Sequence, residues 1–216
     1  MRRITTAVLV ILVLAASVAL AAAPSADAIF ESVKKGFAGV NDYRADVTLT
    51  IKGPQVSIND MRMTLYFKKP NKVHVEAAQG MAMVPPSSFF GNPMTVLPSG
   101  ARPVYVKSER KCDRECDLLK LANPKTDARA SAVYIWVDKD RKVIVAMETS
   151  GEMATKTAWR YQKVDGKHYM PTEITADMKM PHGPKAGQSS KAVIQFTNYR
   201  INKGISDKVF QRKPGK

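Results

Sequence analysis

From Tyr43 onward, apolar and polar residues alternate along the chain with a period of two. Every second position of the first such segment is apolar, at Ala45, Val47, Leu49 and Ile51, and the residues between them are polar. Successive side chains of a β-strand point to opposite faces of a sheet, so the pattern predicts strands with one apolar and one polar face. Strands of this kind form antiparallel sheets that are buried on one side.

Turn signals such as Gly53-Pro54 and Asp165-Gly166 divide the chain into about nine such segments. The segments predicted as strands are 43–52, 61–67, 73–77, 104–106, 132–137, 143–149, 158–164, 169–178 and 192–201. In the last of them, the alternation places Tyr199 on the face opposite to Phe196. The predicted fold class is mainly β with flanking helices (α+β), built on one strongly curved antiparallel sheet that is open or partly closed.

Two segments are predicted to be helical. The first begins at Ser25, which suits an N-cap, carries apolar residues at helical spacing such as Val33 and Phe37, and ends at Gly39. The second is a short helix at 118–121, where three leucines follow one another closely before a proline. These helices would flank the sheet rather than form a separate domain.

The N-terminus has the layout of a secretory signal peptide. Arg2 and Arg3 precede an apolar run at 7–14, and small residues follow as far as Ala23. We expect residues 1–23 to be removed and residues 24–216 to form a single exported domain. The alternative is a membrane anchor that is retained, since the apolar stretch reaches a spanning length if the alanines are counted.

The chain is strongly basic, with a formal net charge of +15. In a cytoplasmic protein this balance would favour nucleic acid, but the expected export from the cytoplasm makes DNA and nucleotides poor partners. Anionic lipid head groups, acidic glycans or an acidic protein are the partners that remain. For most of the lysines a solvated surface is the simpler interpretation, because they alternate with apolar residues along strands.

The segment 80–102 breaks the pattern, since it is long, irregular and rich in proline yet apolar. Disordered linkers are polar, so this segment is expected to fold over an apolar surface. Met81, Met83, Phe89 and Phe90 would then belong to a lid over a ligand cavity or, equally well, to a loop packed on the core.

Cys112 and Cys116 are the two cysteines of the chain. In an oxidising compartment, we expect a disulfide that closes a small surface loop. A metal site would need two further ligands, and a redox pair would normally have the C-x-x-C spacing.

The sequence contains no glycine-rich phosphate loop and no G-x-S-x-G nucleophile motif. The three histidines, His74, His168 and His182, are scattered and are predicted to lie at the surface. We therefore expect neither an enzyme nor a bound metal or cofactor.

Motifs in both halves of the chain resemble one family. The strand–turn–strand around Phe67-Lys68-Lys69-Pro70-Asn71-Lys72 resembles the aromatic-x-(Lys/Arg)-Pro-x-(Lys/Arg) signature of the periplasmic lipoprotein-carrier (LolA-like) superfamily. The C-terminal third is similar to the outer-membrane lipoprotein-sorting group, through Trp159-Arg160-Tyr161, Val164-Asp165-Gly166, Pro171 and the segment from Phe196 to Phe210. The order of these motifs covers nearly the whole exported chain.

The resemblance implies a half-open barrel with a helical or loop lid, whose apolar concave face holds the acyl chains of lipids or lipoproteins. The residues expected to line this cavity are Leu49, Ile51, Met61, Met63, Leu65, Phe67, Val73, Val75, Trp136, Met147, Trp159 and Tyr161. Lys69 is expected to contact the lid, where the lipoprotein carrier has an arginine; lysine lacks the planar fork of that residue. Each lining residue would suit an ordinary core equally well.

The resulting hypothesis is a monomeric periplasmic carrier that moves a lipid or lipoprotein towards the outer membrane. Its expected partners are the acyl chains, an inner-membrane transporter and an outer-membrane acceptor. The alternative is a lipid-sensing or protein-binding regulatory module with the same fold and without transport.

Overall fold

The computed structural model describes residues 25–54, 56–77, 100–122, 132–150, 154–179 and 188–211. The predicted signal peptide and the predicted lid residues Met81, Met83, Phe89 and Phe90 lie outside these ranges. Within them, no helix combines the length and the apolar composition that crossing a bilayer requires.

Helix α1 spans Ala26–Ala38, which confirms the first predicted helix. The hydroxyl of Ser25 accepts a hydrogen bond from the amide of Ala28 at 3.4 Å and so caps the first turn. The helix ends at Gly39, where a Cβ atom would lie 2.8 Å from Nε2 of His168. The missing side chain therefore lets the His168 ring pack directly against the end of α1.

Ten strands follow, and a 3₁₀ helix at Asp207–Gln211 comes after the last of them. The strands are β1 Asp42–Lys52, β2 Ser57–Lys68, β3 Lys72–Ala77, β4 Arg102–Lys111, β5 Arg114–Ala122, β6 Val133–Asp138, β7 Ile144–Thr149, β8 Thr155–Val164, β9 His168–Lys179 and β10 Ser189–Ile201. The nine predicted strands are all present, and the predicted 104–106 is the middle of the much longer β4.

All ten strands belong to one antiparallel sheet, in the order β3-β2-β1-β10-β9-β8-β7-β6-β5-β4. Strand β1 pairs with both β2 and β10, so the N-terminal strands join the long C-terminal meander in register, with Leu49 opposite Ile194. Strands β3 and β4 are the ends of this order and do not pair with each other in the described part of the chain. The sheet is therefore curved but unclosed, and α1 packs inside it against β4 and β9.

The sheet buries apolar residues on both faces. The larger cluster lies on the concave face under α1 and includes Phe67, Leu119 and Ile194. A small second cluster lies on the outer face, where Leu118 and Trp136 pack together.

The predicted helix at 118–121 is wrong, because these residues lie in strand β5. Leu119 and Leu121 face the concave cluster, whereas Leu118 faces the outer cluster. A strand buried on both faces reads as an uninterrupted apolar run, and periodicity alone cannot distinguish such a run from a helix.

A backbone irregularity in β10 also overturns the predicted faces of that strand. Asn198 has a left-handed φ of 54°, and the register between β1 and β10 shifts at this position. The alternation restarts after it, so Tyr199 and Phe196 lie on the same face, with their ring centroids 6.3 Å apart.

The turn after β6 is organised by Asp138, whose side chain is 1% exposed. Its carboxylate accepts hydrogen bonds from the amides of Asp140 and Arg141, at 2.8 and 3.1 Å, and from Nε of Arg114 at 2.8 Å. Burial raises the pKa of this carboxyl group, but the Arg141 amide, the Arg114 guanidinium and the Asp140 amide outweigh burial and hold the pKa below its ordinary value.

Asp138→Asn should destabilise the fold by about 2–3 kcal/mol at neutral pH, because it leaves Arg114 without its buried counter-charge. The depressed pKa means that the ionised carboxylate contributes stability above about pH 4, and that this contribution is lost as the pH falls through the folded-state pKa. Urea unfolding between pH 2 and pH 7 measures both effects. The exposed Asp140 provides the matched control, since Asp140→Asn should change stability by less than about 0.5 kcal/mol. Equal acid sensitivity in wild type and Asp138→Asn would contradict this account.

Candidate functional site

The concave face is lined by the apolar positions of the first three strands. Within this lining, Leu49, Met63, Leu65, Phe67 and Val75 are buried. At the margin of the same cluster, Ile51, Met61 and Val73 are half-buried. The alternation that predicted these strands thus places all eight predicted residues on one continuous apolar surface.

Strands β7 and β8 extend this surface on the other side. Trp159 is buried, and Met147 and Tyr161 are half-buried against the same cluster. The Tyr161 hydroxyl donates a hydrogen bond to the carbonyl oxygen of Ile144 at 2.8 Å. Burial raises the pKa of this phenol, so Tyr161 is a neutral residue of the apolar wall.

Trp136 is the one predicted lining residue that the structure places elsewhere. On β6, its neighbours Ile135 and Val137 face the concave cluster, so Trp136 points to the outer face. There its indole Nε1 donates to Glu109 at 2.7 Å, and the ammonium group of Lys111 lies 4.1 Å from its ring centroid. A one-residue error in assigning the faces of a strand moves every side chain to the opposite face. The prediction for Trp136 contains this error.

Helix α1 covers the concave face, a role that the sequence did not assign to it. Ile29, Phe30 and Val33 are buried against the cluster. Phe37 makes edge contacts with the rings of Tyr43 and Phe67, at centroid distances of 6.5 and 6.0 Å. The apolar stripe of the helix was the available signal, since such a stripe must pack on something.

The C-terminal end of α1 is tied to the sheet by polar contacts. The ammonium group of Lys69 donates a hydrogen bond to the carbonyl oxygen of Ala38. Asn202 donates to the carbonyl of Gly39 and accepts from the amide of Asn41, both at 2.8 Å. A cation near the last carbonyls of a helix also interacts favourably with the helix dipole. Lys69 therefore contacts the element that covers the cavity, and this element is a helix.

Among the described residues, little free space is left where α1 meets strands β7, β8 and β9. Between α1 and residues that include Ile144, Tyr161 and Pro171 the cavity volume is about 20 Å³. This is room for about one water molecule, whereas ligand pockets typically hold roughly 300 Å³ or more. At this contact, the space between helix and sheet is filled by the protein's own side chains.

A larger groove of about 420 Å³ lies on the outside of the sheet, next to Cys112 and Arg160. Its three arginines have acidic partners, since Arg114 and Arg141 contact Asp138 at 2.8 and 3.8 Å, and Arg160 contacts Glu173 at 3.4 Å. The groove therefore has no excess of positive charge with which to bind an anion.

The two cysteines are free thiols, so the predicted disulfide is not formed. Cys112 and Asp113 are the two residues of the tight turn between β4 and β5, with φ values of 49° and 58°. Cys116 lies further along β5, opposite Glu109 rather than Cys112. The hairpin register thus separates the two cysteines, although their C-x₃-C spacing had predicted a disulfide.

The described residues contain no group of three or more His, Cys, Asp or Glu side chains that could hold a metal ion. The surface prediction for His74 is wrong, since it is buried on β3 beside Glu76, with Nε2 and Oε1 3.8 Å apart. His168 lies against the end of α1, where Nδ1 is 3.2 Å from the carboxylate of Asp165. His182 lies outside the described residues.

Solved structures provide matches to this fold, although no family model and no curated protein sequence matches the chain. A putative outer membrane lipoprotein-sorting protein domain from Vibrio parahaemolyticus has 12% identity and a TM-score of 0.64, with 85% of this chain and 94% of that chain covered. A DUF1329 family protein from Desulfovibrio piger has 15% identity and a TM-score of 0.59, with 86% and 96% covered.

A LolA superfamily protein from Nitrosomonas europaea is also similar, at 12% identity and a TM-score of 0.56, with 88% of this chain and 99% of that chain covered. At such low identities the likeness establishes the fold alone. The chain has a LolA-like fold, which confirms the predicted resemblance at that level.

The two thiols should differ sharply in reactivity. Cys112 is exposed, whereas Cys116 is fully buried, and burial together with the nearby Asp138 carboxylate raises the pKa of its thiol to about 11. We expect iodoacetamide at pH 7 to label Cys112 in the folded protein and Cys116 at least about a hundredfold more slowly. Mass spectrometry of the labelled peptides measures both rates, and Cys112→Ser should remove the fast phase. An unlabelled native protein lighter by two hydrogens would instead demonstrate a disulfide.

Proposed function

We propose that the protein is a periplasmic carrier that shelters the acyl chains of a lipid or lipoprotein on its concave face and moves them towards the outer membrane. One observation carries the proposal: the LolA-like sheet has a continuous apolar concave face, formed by every predicted lining residue except Trp136, beneath a single helix. Burial of an acyl chain there is favourable by about 0.8 kcal/mol per CH₂ group.

Methionine makes this surface adaptable. Met63 and Met170 are buried in the concave cluster, and Met61 and Met147 lie half-buried at its margin. An unbranched, polarizable thioether accommodates ligands of different shape without a large cost in strain. Such a lining suits a carrier, which must release its cargo as well as bind it.

An acyl chain that binds between α1 and strands β7 to β9 would require the helix to move, because the cavity of about 20 Å³ there is too small for it. The two ends of the helix are held differently. Polar contacts from Lys69 and Asn202 hold the C-terminal end, whereas Ile29, Phe30 and Val33 hold the rest through apolar packing. An acyl chain offers the sheet the same kind of apolar contact, so it can take the place of the helix stripe while the polar end acts as a hinge.

The rest of the proposal follows from this role. Residues 1–23 direct export and residues 24–216 act as one unit. An inner-membrane transporter would load the cargo and an outer-membrane acceptor would receive it. The protein itself would carry out no catalysis and need no cofactor.

A second function is favoured by one specific observation. Because the protein itself buries Leu49, Leu65 and Phe67 of the concave face, the fold also suits a lipid-sensing or protein-binding regulatory module that needs no bound lipid. The two functions differ in whether an acyl chain binds with useful affinity.

Val33→Ala should tighten acyl binding. Val33 is buried in the helix stripe, so its truncation weakens the packing of α1 and raises the population of the open state. The apparent affinity of a ligand scales with that population, and we expect an increase of about tenfold. Titration with the fluorescent fatty acid cis-parinaric acid measures the change.

The matched control is Glu31→Ala, on the exposed side of the same helix, which should leave the affinity unchanged within about twofold. Weaker binding by Val33→Ala would show that the helix is part of the binding wall and does not have to move. Absence of binding in all three proteins would contradict the carrier and leave the regulatory module.

A further inference from the structure

An exposed apolar spot lies on the outer side of edge strand β4. Val104 and Val106 are 52% and 45% exposed, and they are the only large apolar side chains classed as exposed among the described residues. Both lie on the same ten-residue strand, which pairs with β5 on one side. Two large apolar side chains exposed next to each other on an edge strand mark a candidate binding surface.

Basic and aromatic residues surround these valines. Val104 lies opposite Lys120 on β5, and Lys120 lies opposite Tyr134 on β6, so the three form a row across the outer face. Arg102 and Lys107 flank the valines along β4, and both are exposed. We call these six residues, Arg102, Val104, Val106, Lys107, Lys120 and Tyr134, the rim patch.

The acids near the rim patch are already paired. Glu109 contacts Lys107 at 2.8 Å and also accepts from the Trp136 indole, while Glu148 contacts Lys111 at 2.8 Å. Within the described residues, no acidic side chain forms an ion pair with Arg102 or Lys120. The patch therefore combines exposed apolar groups with uncompensated positive charge.

The strand is poorly suited to pair with a further strand. Pro103 cannot donate a hydrogen bond to a β-ladder, and the register shift between Tyr105 and Lys107 makes Val106 a bulge. Bulges, prolines and lysines are the features that protect sheet edges from strand addition. A second copy of the chain would also place like charges opposite each other, which is unfavourable.

We propose that the rim patch docks on an anionic lipid surface. Val104 and Val106 enter the head-group layer, Arg102 and Lys120 contact lipid phosphates, and Tyr134 lies at the boundary between the apolar and polar regions. Within the described residues, strand β4 is one of the two ends of the sheet and contacts α1, so docking would bring the opening of the sheet close to the membrane. The proposal does not depend on whether the concave face carries lipid.

Co-sedimentation with vesicles tests the proposal on the exported chain. The wild type should bind vesicles that contain phosphatidylglycerol, should bind phosphatidylcholine vesicles far more weakly, and should be released as salt is raised. The double variant Arg102→Glu/Lys120→Glu should lower the partition coefficient about tenfold or more. Val104→Ser/Val106→Ser, which changes no charge, should lower it about fivefold.

The matched control reverses two charges away from the patch. Lys52 and Lys191 are exposed and lie opposite each other on β1 and β10. Lys52→Glu/Lys191→Glu therefore changes the net charge by the same amount and should retain binding within about twofold. All four substituted positions of the patch are exposed, so each patch variant should fold, and circular dichroism verifies this. If one patch variant misfolds, the vesicle binding of the other patch variant tests the proposal.

Three results would overturn the proposal. The first is a wild type that does not bind anionic vesicles. The second is a control variant that loses as much binding as the patch variants, which would show unspecific attraction to net charge. The third is a wild-type dimer in sedimentation velocity that Val104→Ser/Val106→Ser abolishes, because the patch would then bind a second copy of the chain.

Discussion

Packing of helix α1 on the concave face is the interaction on which the rest of the structure depends. A curved sheet whose edge strands β3 and β4 remain apart exposes its apolar inner face unless another element covers it. The stripe that contains Phe30 and Val33 provides that cover and completes the main core. If the concave face binds acyl chains as proposed, α1 and the ligand compete for one surface.

The junction between α1 and the sheet determines which end of the helix an acyl chain would displace first. Asn202, which follows β10, binds both Gly39 and Asn41, and Lys69 reaches Ala38 from the turn between β2 and β3. The Asp42 carboxylate accepts hydrogen bonds from the amides of Lys203 and Gly204, at 3.1 and 3.2 Å. A bound acyl chain would replace the apolar contacts of the helix but would not replace these polar bonds. Displacement would therefore start at the N-terminal part of α1.

Patterns of period two predicted most of the sheet, because one-sided burial leaves a clear alternation in the sequence. The predictions failed where that condition fails. Leu118 and Leu119 lie in a strand buried on both faces, and Tyr199 follows a bulge at Asn198 that no residue pattern indicated. Trp136 was assigned to the wrong face because an outer apolar cluster was not foreseen. The close packing of α1 against Ile144, Tyr161 and Pro171 was also beyond the sequence, since the packing of a helix on a sheet depends on positions in space.

The most direct test of the central claim is native mass spectrometry of the exported protein from its own producing cells, followed by extraction with organic solvent. The account predicts a stoichiometric fraction of protein that carries an additional mass, and release of a lipid or acylated molecule of that mass by the solvent. A protein of the bare polypeptide mass alone, which also takes up none of the lipids offered to it, would contradict the claim that the concave face is a binding site for acyl chains.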